Sequence, residues 1–334
     1  MPPDTPEATT RSARGTATAA PAVAGPAGTG PGRTRGRPRR GVTERQRPLW
    51  LLIPGGLLMT LIILIPLAMA VYISLTDLDQ YTLRRWLQAP FIGLQNYSEA
   101  FTSGLGHSIW LSVSFAVIST IVTIPLGITA ALVTQNPYRG RALVRAVFLI
   151  PYVLPSFVVA EFWRTMLQPD GIVNVWLHKI GVSPALWLSG PRSYWTLILV
   201  EIWAAWPFIY LMALAGLQSV DVEVQEAAAV DGASWWPKLL HIILPYVRGP
   251  VLLAALLATL NHINNFSLPF VLFGVPAPDN VNVLPMLVYV TSFQNLRFGL
   301  SAAMAIVSLL LIAIPLFVYL RAVRLDVGEE GGRR

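Results

Sequence analysis

The sequence predicts an all-α membrane protein built as a bundle of six transmembrane helices. Of its 334 residues, 54% are hydrophobic and 12% are charged, whereas soluble domains carry about 25% charged residues. Six apolar stretches are each long enough to cross roughly 30 Å of hydrocarbon as a helix. They lie at residues 48–76, 108–134, 145–168, 194–217, 246–273 and 298–320. The chain has no cysteine, which excludes disulfides, thiol nucleophiles and cysteine metal sites.

Residues 1–47 form a polar tail ahead of the first apolar stretch. They are rich in Pro, Ala, Gly, Thr and Arg and nearly lack large apolar side chains, so we expect this tail to be disordered. Its segment Arg35-Gly36-Arg37-Pro38 matches the core of a minor-groove DNA-binding hook, and a membrane-anchored DNA-binding protein is therefore one alternative. The simpler interpretation is a basic segment beside a membrane span, with no nucleic-acid partner.

Lysine and arginine set the predicted orientation, because they accumulate on the cytoplasmic side of membrane proteins. With the tail and its nine arginines inside, both termini are cytoplasmic, including the tail at 325–334. The transmembrane domain is then 48–324, and the connection 219–245 between the fourth and fifth spans is also cytoplasmic. Further inside positions are Arg139, Arg141, Lys238, Arg248, Arg321, Arg324, Arg333 and Arg334, against Arg84, Arg85, Lys179, Arg192 and Arg297 outside.

The connection 219–245 contains a predicted helix that does not cross the membrane. Glu226, Ala227 and Ala228 are good helix formers, Gly232 follows after three residues, and Pro245 precedes the next apolar run. An interfacial amphipathic helix would show part of this pattern. The full spacing, Glu-Ala-Ala through Gly232 to Ile242 and Leu244-Pro245, resembles the "EAA loop" of permease subunits of ATP-binding-cassette (ABC) importers.

Two further segments resemble bacterial sugar importers of the carbohydrate-uptake class, closest to the F-type permease of maltose transporters. Residues 91–97 read Phe-Ile-Gly-Leu-Gln-Asn-Tyr, like the "F-x-G-L-x-N-Y" segment after the first span, and residues 171–177 match "G-x-x-N-x-x-L". A plain turn with interfacial aromatics is the alternative for the first. The resemblance implies a type I ABC importer permease fold with a cytoplasmic coupling helix, in the inner or plasma membrane of a bacterium.

The fifth span departs from the pattern of that class. Such permeases usually carry Phe-Asp there, followed by a Thr-Gly-Gly-Pro turn. The matching places here read Asn264-Asn265-Phe266-Ser267 and then Phe-Gly-Val-Pro at 273–276. The missing aspartate and glycine leave the coupling argument unchanged but put the identity of the sugar in doubt.

The resemblance assigns ATPase coupling to six residues of the loop. Glu226 would pair with a basic residue of the ATPase. Close approach would be allowed by Ala227, Ala228 and Gly232, and the turn would be flanked by Asp231 and Ala233. Helix propensity alone is the other explanation of the alanines. ATP-driven closure of the ATPase pair would move the loop helix as a lever and switch access to the cavity. The coupling residues are Glu226, Ala227, Ala228, Asp231, Gly232 and Ala233.

Polar and aromatic residues inside the fourth and fifth spans are the candidate substrate path. Intramembrane polar groups are costly and frequently functional, so the amides of Asn261, Asn264 and Asn265, together with His262, are expected to hydrogen-bond sugar hydroxyls. The aromatic rings of the fourth span would stack on a sugar ring. Amides also join helices in membranes and aromatics also fill bundle cores, which remains the alternative for every one of these residues. The aromatic candidates are Trp203, Trp206 and Tyr210.

Two acidic residues inside the spans need separate explanations. Glu161 and Arg164 are spaced by one helical turn, which predicts a salt bridge between them. Glu201 matches no such pattern and the sequence does not explain it; an outer gate and a partner contact are the roles left open for it.

The chain itself is expected to be a non-enzymatic subunit without cofactor or metal. No phosphate-binding loop precedes either of its lysines, Lys179 and Lys238, so ATP and Mg belong on a partner ATPase. The expected partners are a second permease subunit, two ATPase subunits, an extracytoplasmic solute-binding protein, the sugar substrate and membrane lipid. Alternatives are the same machine carrying a polyamine, phosphate or other small solute, and a secondary transporter, which would show inverted repeats.

Overall fold

The computed structural model describes the backbone of residues 54–219, 230 and 234–331, and the side chains of these residues up to 321. The chain divides into residues 1–56, of which 54–56 are described, and a compact unit at 57–334, which carries the architecture below. Within the described ranges there is no strand, and Thr76 and Phe91 form an isolated antiparallel bridge. The helices are α1 (Pro54–Ser74), α2 (Gln95–Thr102), α3 (Leu105–Gln135), α4 (Arg141–Val153), α5 (Ser156–Met166), α6 (Ile172–Lys179), α7 (Arg192–Gln218), α8 (Trp235–Ile263), α9 (Ser267–Phe273), α10 (Leu284–Tyr289) and α11 (Phe298–Gly331), with short 3-10 helices at Leu83–Gln88 and Asp279–Val281 and π segments at Thr60–Leu64, Leu239–Ile243 and Val290–Gln294.

Five described helices are long and apolar enough to cross a membrane: α1, α3, α7, α8 and α11 up to Arg321. The stretch predicted as a third span, 145–168, is divided between α4 and α5, which meet at an angle of 95°. Pro155 explains the break, because a residue before proline avoids the helical region, and Leu154 is extended with ψ 135°. The count is six if this bent pair is one span.

The stretch predicted as a fifth span, 246–273, also differs from the helix that forms. Helix α8 begins at Trp235, inside the predicted connection 219–245, and ends at Ile263. It passes through Pro245, which has no N–H to donate and would collide with a carbonyl of the preceding turn. The π segment Leu239–Ile243 widens the helix immediately before that proline. The π segment Thr60–Leu64 precedes Pro66 in α1 in the same way.

Close packing of α3, α7 and α8 forms the centre of the bundle. Gly127 on α3 faces α7 so closely that a Cβ there would lie 2.7 Å from the Cβ of Ile209. Gly216, near the end of α7, faces Val247 of α8, where a Cβ would lie 3.2 Å from the Val247 Cα. Helices in membranes associate through such close approach of small residues, so these two glycines fix the packing of the three helices.

The segment 91–97 closes the end of α1. The side-chain amide of Asn96 is buried and donates to the carbonyls of Ser74 and Thr76, both at 2.9 Å. The hydroxyls of Tyr97 and Ser74 lie 2.8 Å apart, and the N–H groups of residues 92 and 93 donate to the carbonyl of residue 75. The last carbonyls of a helix lack partners within it, so this segment satisfies them, and the physical role of the sequence motif is that of a helix cap.

The start of α11 rests on the same cap. A Cβ on Gly299 would overlap the carbonyl oxygen of Thr76, so only a glycine allows this approach. Beside Gly299, the Nη1 and Nη2 groups of Arg297 both donate to the carboxylate of Glu99 on α2. The distance between Nη2 and Oε2 is 2.8 Å. These contacts tie α1, α2 and α11 together at one end of the bundle.

The segment 171–177 organises the connection between α5 and α7 around one buried amide. The Nδ2 group of Asn174 donates to the carbonyls of residues 168, 169 and 185, and its Oδ1 accepts from the Ala185 N–H and the Trp187 Nε1–H. Gly171 lies so close to the Met166 carbonyl that a Cβ would overlap it. This second motif is therefore also explained by hydrogen bonding of the backbone.

We expect Asn96→Ala to destabilise the protein by about 1–3 kcal/mol, because two buried carbonyls lose their donor. Thermal unfolding of the full chain in lipid nanodiscs measures this effect. The neighbouring Gln95→Ala, whose side chain is exposed, is the control and should leave the unfolding midpoint nearly unchanged. Equal midpoints for the two variants would show that the cap does not contribute.

The Glu99–Arg297 pair makes part of the stability depend on pH. Hydrogen bonding from Arg297 lowers the pKa of the Glu99 carboxyl below its ordinary value. A carboxyl with a lowered pKa in the folded protein contributes stability above its unfolded pKa, about 4.3, and that contribution is lost as pH falls through the folded pKa. The unfolding midpoint of the natural chain should therefore exceed that of Glu99→Gln at pH 7, and the difference should shrink below about pH 4. In an Arg297→Met background the difference at pH 7 should disappear; a difference that persists there would contradict this origin.

Candidate translocation cavity

A cavity of about 400 Å³ lies where the α4–α5 bend, α7 and the α8–α9 break come together. Each of these interruptions removes a stretch of helix, and together they leave space inside the bundle. The lining residues are Pro151, Tyr152 and Leu154 at the end of α4, Ser156 and Val159 on α5, Glu201, Ala204, Ala205 and Phe208 on α7, Ala258, Asn261 and His262 on α8, Asn264, Asn265 and Phe266 in the break, and Ser267 and Leu268 on α9.

The three predicted asparagines all line this cavity, but their amides are engaged differently. Asn265 donates through Nδ2 to Glu201 at 2.7 Å and accepts the Leu268 N–H through Oδ1 at 3.1 Å. Asn264 is exposed and donates to the Leu260 carbonyl of its own helix at 3.0 Å. Asn261 has no side-chain hydrogen bond to any residue that the structure describes. The Asn261 amide, the side-chain Oδ1 of Asn264 and the second Nδ2 hydrogen of Asn264 are thus available to a solute.

A buried pair of polar side chains, Glu201 and His262, lines the cavity. Glu201 is 6% exposed and His262 is 2% exposed, and their Oε1 and Nδ1 atoms are 2.6 Å apart. The ring of Phe115 meets the imidazole edge-to-face at 6.1 Å. The second ring nitrogen, Nε2, is buried and has no partner among the described residues. Glu201, for which sequence reasoning gave only an outer-gate or partner contact, lies in the interior beside the cavity.

The three predicted aromatic residues do not line the cavity. The rings of Trp203 and Trp163 pack edge-to-face, with their centroids 5.6 Å apart. Trp206 and the buried Tyr210 both pack against Phe148 of α4, at 5.2 and 5.8 Å. In this structure they occupy the bundle core, which was the alternative for these residues, and their part in the substrate path stays a prediction.

A different aromatic pair stands at the cavity. Tyr152 of α4 and Phe208 of α7 stack at 5.9 Å with an angle of 20° between their rings. Sequence reasoning missed both, because the side of a helix that faces a cavity depends on where α4 ends and on the 95° bend that follows. For Glu201 a signal existed, since an ionisable residue inside a span is a candidate for function by default.

Glu161 and Arg164 form the ion pair that their spacing predicts, with 3.8 Å between Oε2 and Nη1. Both side chains are substantially exposed, so the pair itself adds little stability. Arg164 also donates to the Val271 carbonyl at 3.3 Å, which connects α5 to α9 beside the cavity.

All six predicted coupling residues, Glu226, Ala227, Ala228, Asp231, Gly232 and Ala233, lie outside the described residues. The helices on either side of them are described and pack together. Leu217 near the end of α7 belongs to one buried cluster with Leu239, Ile243 and Val247 of α8. The two helices that flank the coupling segment are therefore joined by a continuous apolar contact.

The sequence of this helical, multi-span chain matches a known family. Residues 123–324 match the binding-protein-dependent transport system inner membrane component family. The chain belongs to this family. The matched region contains α7, the coupling segment, α8 and every residue that lines the cavity. The fold prediction of a type I ABC importer permease is confirmed.

Relatives and solved structures agree with this assignment. The chain is 31% identical to the trehalose/maltose transport system permease protein MalF of Thermococcus litoralis over 71% of this chain and 81% of that protein. It is 30% identical to the sulfoquinovosyl glycerol transport system permease protein SmoG of Agrobacterium fabrum, over 85% and 96% of the two chains. A chain in the crystal structure of a bacterial ABC transporter that imports the acidic polysaccharide alginate superposes with a TM-score of 0.70 at 21% identity, over 83% of this chain and 96% of that one.

The natural absence of cysteine allows a direct test of which residues face the cavity. We expect single cysteines from Asn261→Cys and Asn264→Cys to react with a water-soluble methanethiosulfonate reagent. Tyr210→Cys, at a position 1% exposed, should react at least tenfold more slowly. Faster labelling at position 210 than at position 264 would contradict the placement of the cavity.

Proposed function

We propose that this chain is the membrane-spanning permease subunit of an ATP-driven importer that carries a sugar or oligosaccharide. The observation that carries the proposal is the lining of the cavity. Amide groups, two serine residues and a stacked aromatic pair line it, and such groups suit the hydroxyls and the apolar face of a sugar ring. The relatives named for trehalose, maltose and sulfoquinovosyl glycerol support the same class of cargo.

The state of the cavity carboxylate argues against a polyamine as cargo. Glu201 is buried, its Oε1 lies 2.6 Å from the His262 Nδ1, and its Oε2 accepts from Asn265. A carboxyl group that is desolvated and held by two partners offers little to a cation, because a cation would have to displace those partners. An uncharged solute with many hydroxyls needs no such displacement.

ATP hydrolysis and solute capture are proposed to reside on other chains. Two ABC ATPase subunits would bind ATP and Mg and contact the coupling segment. A second permease subunit would complete the pathway, and an extracytoplasmic binding protein would deliver the sugar. The distribution of lysine and arginine supports an orientation with both termini and the coupling segment in the cytoplasm. The apolar contact between the ends of α7 and α8 supports a lever, because it would transmit motion of the segment to both helices.

Reconstitution of the whole complex in proteoliposomes tests this function. Uptake of radiolabelled trehalose, maltose and spermidine is measured with the binding protein outside and ATP inside. We expect uptake of at least one sugar, none of spermidine, and none when ATP is replaced by a non-hydrolysable analogue. Sugar uptake that continues without ATP hydrolysis would indicate a secondary transporter instead, and spermidine uptake would indicate the polyamine alternative.

Gly232→Asp should abolish uptake, because a side chain and a charge at the proposed docking turn prevent close approach to the ATPase. The variant should still insert into the membrane, as measured by its yield in the membrane fraction. Gly106→Asp is a matched control, since Gly106 is exposed at the start of α3 and a Cβ there meets no atom within 4 Å. Normal uptake with Gly232→Asp would refute the docking role.

A further inference from the structure

The carboxylate of Glu201 spans the interruption between α8 and α9. Its Oε1 contacts His262, one residue before the end of α8, and its Oε2 accepts from Asn265, which lies inside the break. We propose that Glu201 is a positioning residue, which fixes the ring proton of His262 and the rotamer of Asn265 and so sets the geometry of the cavity wall. Its consequence for transport rests on the proposed function, whereas its structural part does not.

The rotamer of Asn265 matters because this residue holds the first turn of α9. The first N–H groups of a helix have no partner within it, and the side-chain Oδ1 of Asn265 accepts the N–H of Leu268 at 3.1 Å. Oδ1 points there only while Nδ2 points the other way, and Nδ2 donates to Glu201 at 2.7 Å. Glu201 therefore decides which end of the amide faces α9.

The ring proton of His262 is fixed by the same group. While Glu201 is ionised it only accepts hydrogen bonds, so the short contact to Oε1 then places a proton on Nδ1. The hydrogen bond at one ring nitrogen determines the state of the other, and Nε2 is buried at the cavity wall without a described partner. Glu201 thus selects which ring nitrogen of a neutral His262 carries the proton.

The two contacts of Glu201 are those that a buried carboxylate requires. A buried ionised carboxylate is costly unless it is paired and hydrogen-bonded, and Glu201 is 6% exposed. Glu161 offers a contrast on α5, since its side chain is 61% exposed and its partner Arg164 is 3.8 Å away. The two acidic residues differ in burial and in partners, which makes Glu161 the matched control.

The informative variant is Glu201→Gln, which preserves size but has one accepting oxygen in place of two. An amide cannot accept from His262 and from Asn265 on separate atoms, so one of the two groups must change. Either the ring proton moves to Nε2 and Nδ1 accepts from the new amide, or Asn265 rotates and the Leu268 N–H loses its acceptor. Two measurements on the full chain in nanodiscs follow these two changes.

The first measurement is ¹⁵N NMR of histidine-labelled protein, with the His262 signals assigned by their loss in His262→Gln. The second is the alkylation rate of a single cysteine from Leu268→Cys, at a position 1% exposed. We expect Glu201→Gln either to exchange the protonated and unprotonated ring nitrogens or to raise the alkylation rate at least tenfold. Glu161→Gln should do neither, and a buried reporter from Met304→Cys should stay protected in both variants.

Unchanged ¹⁵N shifts together with an unchanged alkylation rate in Glu201→Gln would overturn the proposal. Exposure of the Met304→Cys reporter in Glu201→Gln would also overturn it, because the effect would then be general unfolding and not a change at the break. Neither readout needs a substrate, so a failure of the sugar assignment would show in the uptake experiment and leave these measurements intact.

Discussion

The need to satisfy every backbone N–H and C=O group away from water is the constraint on which this structure depends. In hydrocarbon a helix meets that need by itself, and any interruption must be compensated by other groups. The chain interrupts its helices repeatedly, and at three interruptions a single asparagine makes the compensating bonds. Asn96 closes the end of α1, Asn174 holds the connection after α5, and Asn265 holds the start of α9.

The same interruptions create the candidate site. Irregular backbone at membrane depth is tolerated where it lines a cavity, and the cavity lies between the α4–α5 bend and the α8–α9 break. Two of the helices that line this cavity, α7 and α8, also flank the coupling segment. Glu201 on α7 and His262 on α8 meet at the cavity, while Leu217 and Val247 meet near the other end of the pair. One pair of helices thus connects the proposed ATPase contact to the cavity.

The apolar runs were sufficient to predict the class of fold, because length and hydropathy alone determine whether a helix spans a bilayer. The apolar runs did not predict where the helices break. The run 145–168 contains Pro151 and Pro155, and α4 continues through the former and ends before the latter. The run 246–273 is interrupted by Asn264-Asn265, and the helix stops directly before them at Ile263. Local sequence does not distinguish a proline that a helix absorbs from one that ends it, since neighbouring helices make that choice.

The site was predictable in part for a related reason. The asparagines near 264 were found because polar residues in a span are unusual whatever surrounds them. The stacking pair of Tyr152 and Phe208 was missed, because aromatic residues are common in spans and only the bend of α4–α5 gives this pair its place. The family segments at 91–97 and 171–177 were recognised from their pattern, and their reason, the satisfaction of helix-end carbonyls and loop carbonyls, became visible only with Asn96 and Asn174 in place.

The position of the sugar path is tested most directly by a structure of the assembled transporter. This structure would be determined by electron cryomicroscopy with the sugar trapped in the membrane by an inactive ATPase. We expect density for the sugar between α5, α7 and the α8–α9 break. This density should contact Asn261 and Asn264 and lie beside Tyr152 and Phe208. Density remote from this cavity, or a pathway that bypasses this chain, would contradict this placement.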